Sequence, residues 1–137
     1  MAVKNLTKYL TPDLKLEVGT KLYVVPPPSK KNGMTLAAIV TAGGQAGSGE
    51  DISPEVLSVL KAVRPDTNVA ALALSQRVYD QMIKDEVPEP HIEQLGQYAM
   101  YYWVVGEAGA DLIMESVFGH NAENSEGDEE PVEAPKD

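Results

Sequence analysis

Residues 98–105 read YAMYYWVV, eight consecutive positions without a charge that hold four of the chain's eight aromatic side chains. At about 100° per residue these positions circle a helix more than twice, so every face of that helix would be apolar. Two interpretations follow from this pattern. The stretch is either a central core helix, or a helix whose outer surface is covered by another protein.

The sequence around this stretch predicts a helix over residues 90–118. Apolar or small residues recur along it at helical spacing. This stripe consists of Ile92, Leu95, Ala99, Tyr102, Gly106, Ala110, Ile113 and Val117. We expect Gly106 and Gly109 to bend or break the helix, and Gly119 to end it.

The opposite side of this helix begins as a polar face, with Glu93, Gln94 and Gln97, and then becomes apolar. An exposed apolar continuation of a polar face is where a partner could dock. We therefore predict a partner-binding or self-association surface and expect Tyr98 and Tyr102 to point inward. The predicted surface consists of Met100, Tyr101, Trp103 and Val104.

Alternating apolar residues on both sides of Gly19 predict a β-hairpin over residues 14–25. A three-residue loop would place Leu16 opposite Leu22, whereas a two-residue Gly19-Thr20 turn would place Leu16 opposite Tyr23. The sequence leaves both registers open, although burial of a leucine face favours the first. Three prolines, residues 26–28, should end the second strand.

Three further helices are predicted between the hairpin and the C-terminal helix. Ser29 can cap a helix that ends at Gly43-Gly44, and the following glycine-rich stretch predicts a flexible linker. Ser53 and Pro54 begin a second helix, and a third begins near Ser75. The predicted fold is mainly α with a small N-terminal β-hairpin (α+β), and its about four helices are packed around the central C-terminal one. Their predicted ranges are residues 30–42, 54–63, 75–86 and 90–118.

Composition predicts one folded domain, residues 1–119, followed by an acidic disordered tail, residues 120–137. From residue 121 to 137 there are seven acids against Lys136, and the net charge of the chain is -10. Zero cysteines fit a reducing compartment, and no stretch approaches the ~20 apolar residues that a membrane span needs. Nucleic-acid binding is disfavoured because only Lys30-Lys31 form an adjacent basic pair.

No pattern of a catalytic, cofactor-binding or metal site stands out. His91 and His120 are the only histidines and form no metal-binding motif. The glycine-rich stretch 43–49 lacks the lysine and hydroxyl ending of a phosphate loop, and no serine or carboxylate pattern indicates nucleophilic or paired acid-base chemistry. We therefore expect a protein that is not an enzyme and needs no cofactor.

Two blocks of the sequence resemble a family of small proteins from tailed phages of actinobacteria, generally regarded as tail assembly chaperones of long-tailed phages. The first block runs from Asn5 through Leu16, with Gly19, and on through the three prolines to Leu36. The second runs from Tyr79 through Val87-Pro88 to the Tyr101-Tyr102-Trp103 triplet. Together the blocks cover roughly residues 3 to 118.

This resemblance implies a non-enzymatic protein of the host cytoplasm. It would bind the tape measure protein, help recruit major tail protein subunits, and be absent from the finished particle. It also implies a longer product made by translational frameshifting, and homo-oligomers are possible. The alternatives are a virion adaptor that forms a ring in the tail and, third, a small-molecule enzyme or nucleotide-binding module.

Overall fold

The computed structural model describes the backbone of residues 3–129 and the side chains of residues 3–119. A single turn of 3-10 helix, Thr7–Tyr9, precedes an antiparallel pair of strands and five helices, so the predicted mainly helical class with an N-terminal hairpin is confirmed. The elements are β1 (Leu14–Val18), β2 (Lys21–Val25), α1 (Lys30–Gly47), α2 (Pro54–Lys61), α3 (Val69–Leu74), α4 (Gln76–Lys84) and α5 (Glu89–Glu129).

The hairpin adopts the register that we did not favour. Leu16 lies opposite Tyr23 across a two-residue turn, and Gly19 has the positive φ of 61° that this turn requires. Tyr23 is therefore 5% exposed while Leu22 is 58% exposed. Leu14 and Leu16 of β1 face the core, but Tyr23 takes the place that we favoured for Leu22, because the larger tyrosine ring removes more apolar surface from water than a second leucine would.

The helix starts agree with their predicted capping residues. The Ser29 hydroxyl accepts a hydrogen bond from the Asn32 amide, and the Ser53 hydroxyl accepts one from the Val56 amide. The end of α1 is a correction, because the helix continues past the glycine pair to Gly47. Its extended last turns pack near α2, where the Gln45 side chain accepts a hydrogen bond from the Ser53 amide.

Helix α3 was not predicted. Its six residues are all apolar, so they show no periodicity that would distinguish a helix from a buried strand. Asn68 caps it, and Ser75 separates it from α4 with a φ of 77°, a conformation that few residues other than glycine adopt. Four of its six residues are buried, which places this short helix inside the core.

Helix α5 changes direction at Gly106, where φ is 87° and ψ is 173°. A hydrogen bond of 2.8 Å joins the Tyr98 hydroxyl to the Asp111 carboxylate. In a straight helix these two residues would be ~20 Å apart along the axis. The second arm of α5, which begins at residue 107, therefore turns back and brings Asp111 beside the first arm, residues 89–105. The predicted bend at Gly106 is confirmed, whereas Gly109 remains helical.

The backbone of α5 runs past Gly119 to Glu129, so the predicted helix end at Gly119 was wrong. Gly119 is itself helical and buried and does not end the helix. Residues 120–129 of the predicted disordered tail are thus helical in their backbone. The rest of that tail, residues 130–137, lies outside the described residues.

The core lies between the inner face of the hairpin, α1, α3, α4 and the first arm of α5. Its buried apolar side chains come from every one of these elements, and the most fully enclosed are Val25, Leu36, Leu74 and Met82. Each comes from a different element, so the hairpin and the helices share one apolar centre.

Candidate functional site

The predicted partner-binding surface on α5 is only partly accessible. Met100 is 7% exposed and belongs to the core, so its expected accessibility was wrong. Tyr101, Trp103 and Val104 are half-buried and pack against the same core. Partner binding by these three side chains stays a prediction. Tyr98 and Tyr102, expected to point inward, are also half-buried.

The Trp103 indole is held by α3. Its Nε1–H donates a hydrogen bond of 3.1 Å to the carbonyl oxygen of Ala73, and its ring meets that of Tyr102 edge-on at 5.0 Å. An edge-on pair of this spacing is a favourable aromatic arrangement. The core-helix interpretation of the aromatic stretch therefore accounts fully for the position of Met100 and in part for that of Trp103.

A second open surface lies where α1, α2, the segment 62–67 and α3 leave a groove of about 630 Å³. We call it the basic groove. Its apolar side chains include Met34 of α1, Val59 of α2 and Leu72 of α3. Its full lining comprises Lys30, Lys31, Asn32, Met34, Thr35, Val59, Ala62, Val63, Arg64, Thr67 and Leu72.

Sequence patterns position these lining residues. Ser53 and Pro54 start α2, which packs beside α1 and brings Val59 to the groove. Ser29 caps α1, which fixes Lys30 and Lys31 in its first turn, beside the groove. Met34 follows one turn later and is 52% exposed, so it adds accessible apolar surface to the groove.

The charge around the basic groove is opposite to the charge of the chain. Of the described residues that line it, three are basic and none is acidic, although the chain carries a net charge of -10. Arg64 forms an exposed ion pair with Asp66, at 3.4 Å between Nε and Oδ1. Lys30 and Lys31 are exposed, and neither has an ion-pair partner among residues 3–119.

Sequence reasoning did not identify the basic groove. It predicted helices at α1 and α2 but left the segment of α3 unassigned, so the position of Leu72 at the groove was missing. One available signal was the Lys30-Lys31 pair in the first turn of a helix. Cations there oppose the positive end of the helix dipole, which costs a few tenths of a kcal/mol or more, so a functional reason was worth seeking.

Two tyrosine–carboxylate pairs fasten other parts of the fold. The Tyr23 hydroxyl donates to Asp85 at 2.8 Å, and Lys21 lies 3.6 Å from the same carboxylate. This hydrogen bond from Tyr23 holds the pKa of Asp85 below its usual value, while burial and Asp85 raise the pKa of Tyr23 to about 12. Burial, followed by the hydrogen bond to Asp111, raises the pKa of Tyr98 to about 12.

These groups form structural contacts between elements. Within the described part of the chain, no group of three or more histidine, aspartate or glutamate side chains could hold a metal ion. His91 is exposed, and the side chain of His120 lies outside the described residues. None of the helices described has both the length and the apolar character needed to cross a membrane.

Comparison with known proteins gives one family. Residues 4–137 match the family described as Domain of unknown function (DUF7426). No curated protein and no solved structure matches the chain. Since the match covers nearly the whole sequence, this protein belongs to the DUF7426 family.

Proposed function

We propose that this DUF7426 protein is a non-enzymatic tail assembly chaperone of a long-tailed actinobacterial phage. It binds the tape measure protein in the host cytoplasm, keeps it soluble, helps recruit major tail protein subunits, and is absent from the mature virion. The proposal takes its biological setting from the sequence resemblance. Its support in the fold is the basic groove, an open apolar surface of a kind that a protein partner could cover.

The shape of the basic groove suits a helical client. It is lined along one side by the first two turns of α1 and on the other by Val59, residues 62–67 and Leu72, and the exposed Met34 side chain lies among its apolar lining. An amphipathic helix can place a row of apolar side chains in such a groove. A tape measure protein is long and helical, so it offers many such rows before the tail tube surrounds it.

Co-expression with the tape measure protein, followed by pull-down, tests the proposal. We expect the full chain to capture the client, and the Met34→Glu variant to lose most of this capture because a carboxylate enters the apolar groove. Ile83→Glu is the matched control, since Ile83 is also 52% exposed and lies outside the groove. Absence of capture by the unaltered chain would contradict the proposal.

Further arms of the experiment address the remaining parts of the proposal. A chain without residues 120–137 separates recognition by the folded part from recognition by the acidic segment. We expect mass spectrometry not to detect the chain in purified mature particles. Its detection there would favour the virion adaptor. A coding sequence with no slippery site and no overlapping downstream frame would count against the frameshifted product.

A further inference from the structure

We propose that the basic groove recognises one class of partner, an amphipathic helix whose apolar row is flanked by acidic side chains. This inference rests on the proposed function in one respect, because it takes the bound helix to be a segment of the tape measure protein. The groove chemistry itself can be tested without that client.

The apolar lining favours a helix over a small molecule. Pockets for small ligands enclose most of the ligand surface, about 70–90%. Here the groove is bordered by exposed side chains, and Met34 is itself 52% exposed. A surface of this kind leaves one side of its occupant in water, as a groove does with the polar face of a bound helix.

The charged lining selects the flanks of that helix. Lys30, Lys31 and Arg64 are the charged side chains among the described lining residues. Arg64 already pairs with Asp66, so a helix with acids beside its apolar row would bring carboxylates mainly towards Lys30 and Lys31, whereas a helix with lysines would meet repulsion there. Charge complementarity of this kind contributes mainly to specificity and to the rate of association.

The position of the lysines supports recognition rather than folding as their role. Lys30 and Lys31 are the first two residues of α1, and the first turn of that helix contains no acid. Positive charges at this end of a helix are unfavourable for the helix itself. Because neither lysine has an ion-pair partner within residues 3–119, both charges are available to a ligand.

The direct test uses two labelled 18-residue helical peptides with the same leucine row, one flanked by glutamates and the other by lysines. Fluorescence anisotropy measures their binding to the full chain. We expect the glutamate peptide to bind at least about tenfold more tightly than the lysine peptide, and added salt to reduce the difference. The double variant Lys30→Glu/Lys31→Glu should reverse the preference.

The double variant Lys15→Glu/Lys84→Glu is the matched control. It changes the net charge of the chain by the same amount, and both positions are exposed and lie outside the basic groove. We expect this variant to keep the preference of the unaltered chain. An equal loss of preference in both double variants would show that overall charge, and not the groove, selects the peptide, and would overturn the proposal.

Client capture in parallel separates this inference from the proposed function. If the unaltered chain and Lys30→Glu/Lys31→Glu capture the tape measure protein equally, the inference fails and the proposed function stands. If neither captures it, while the peptides behave as expected, the proposed function fails and the groove chemistry stands. Equal binding of the two peptides to the unaltered chain, or no binding of either, overturns the inference.

The proposal would also be overturned if a second copy of the chain, or the chain's own acidic end, occupied the basic groove. If a second copy of the chain occupied the groove, the apparent mass of the unaltered chain would rise with concentration. The Lys30→Glu/Lys31→Glu variant would stay a monomer. The chain's own acidic end would compete with the peptide. The test is the full-length variant Glu130→Gln/Glu133→Gln/Asp137→Asn. If the acidic end occupies the groove, this variant would bind the glutamate peptide about tenfold more tightly than the unaltered chain.

Discussion

Gly96 of α5 lies directly against Ala70 of α3. A Cβ atom at position 96 would be 2.7 Å from the Cβ of Ala70 and 2.9 Å from its Cα. The second distance involves backbone, which cannot move as a side-chain tip can. Glycine at this position therefore sets how closely α3 approaches the helix that carries the aromatic stretch.

We expect Gly96→Ala to lower the free energy of unfolding. Overpacking a tight contact costs roughly 1–3 kcal/mol, and the better helix propensity of alanine offsets about 1 kcal/mol of this. Gly43→Ala is the matched control, because Gly43 is also helical and nothing lies within 4 Å of its added Cβ. This control should gain up to about 1 kcal/mol in urea unfolding. Equal stability of the two variants would contradict the close contact.

Replacing Ser75 should separate backbone strain from capping. The φ of 77° and ψ of 148° at Ser75 are strained for any residue except glycine, at roughly 1–3 kcal/mol. Ser75→Gly relieves this strain and loses only a few tenths of a kcal/mol of capping, so we expect a higher unfolding temperature. Ser75→Ala keeps the strain and loses the hydrogen bond to the Val78 amide, so it should be less stable by about 1 kcal/mol. If Ser75→Gly were less stable than Ser75→Ala, backbone strain at this position would be negligible.

The contact between Tyr23 and Asp85 should make stability depend on pH in the acid range. The hydrogen bond from Tyr23 lowers the pKa of Asp85 from its ordinary 3.8 in the folded state. The contact therefore stabilises the fold above that value, and its contribution is lost as the pH falls through the lowered folded pKa. In urea unfolding, Tyr23→Phe should be less stable than the unaltered chain at about pH 6, and the gap should narrow below about pH 4.

Tyr79→Phe provides the control for this acid titration. It removes the hydrogen bond of 2.8 Å that the side-chain amide of Asn68 donates to the Tyr79 hydroxyl, and this amide does not titrate in this range. Its stability loss should therefore stay constant with pH. A Tyr23→Phe gap that also stays constant would show that ionisation of Asp85 does not contribute to the contact.

Gly106 should control the late titration of Tyr98. Only glycine readily adopts the φ of 87° and ψ of 173° at this bend, so Gly106→Ala should open the bend and separate Tyr98 from Asp111. Tyr23 and Tyr98 both have a pKa of about 12, so ultraviolet titration of tyrosinate should then show one fewer late-titrating tyrosine as the Tyr98 pKa falls towards its ordinary 10.0. Gly44→Ala, in open space on α1, should leave the titration unchanged. If Gly106→Ala also left the titration unchanged, the bend would not depend on glycine.

The remaining accessible part of the aromatic stretch gives a prediction about client binding. Tyr101 and Val104 are half-buried, so Tyr101→Ala should weaken capture of the tape measure protein by less than Met34→Glu does. Pull-down of both variants, after circular dichroism confirms that they are folded, makes the comparison. A folded Tyr101→Ala variant that captures as well as the unaltered chain would remove Tyr101 from the contact surface.

Local signals in the sequence predicted much of the architecture. Alternation around Gly19 predicted the hairpin, and capping serines predicted where α1, α2 and α4 begin, because both effects act over a few neighbouring residues. The register of the hairpin could not be predicted in the same way. It depends on whether a leucine or Tyr23 meets the core, and that choice involves Asp85, 62 residues further along the chain.

The candidate site depended even more on packing between distant segments. The sequence by itself determined that residues 98–105 would form an apolar helix and that Lys30 and Lys31 would stand at a helix start. Only the tertiary structure decided that Met100 enters the core and that α3 completes the basic groove. The physical reason is that burial and charge complementarity arise between surfaces, and α3 has too short and too uniformly apolar a sequence to reveal which surface it would face.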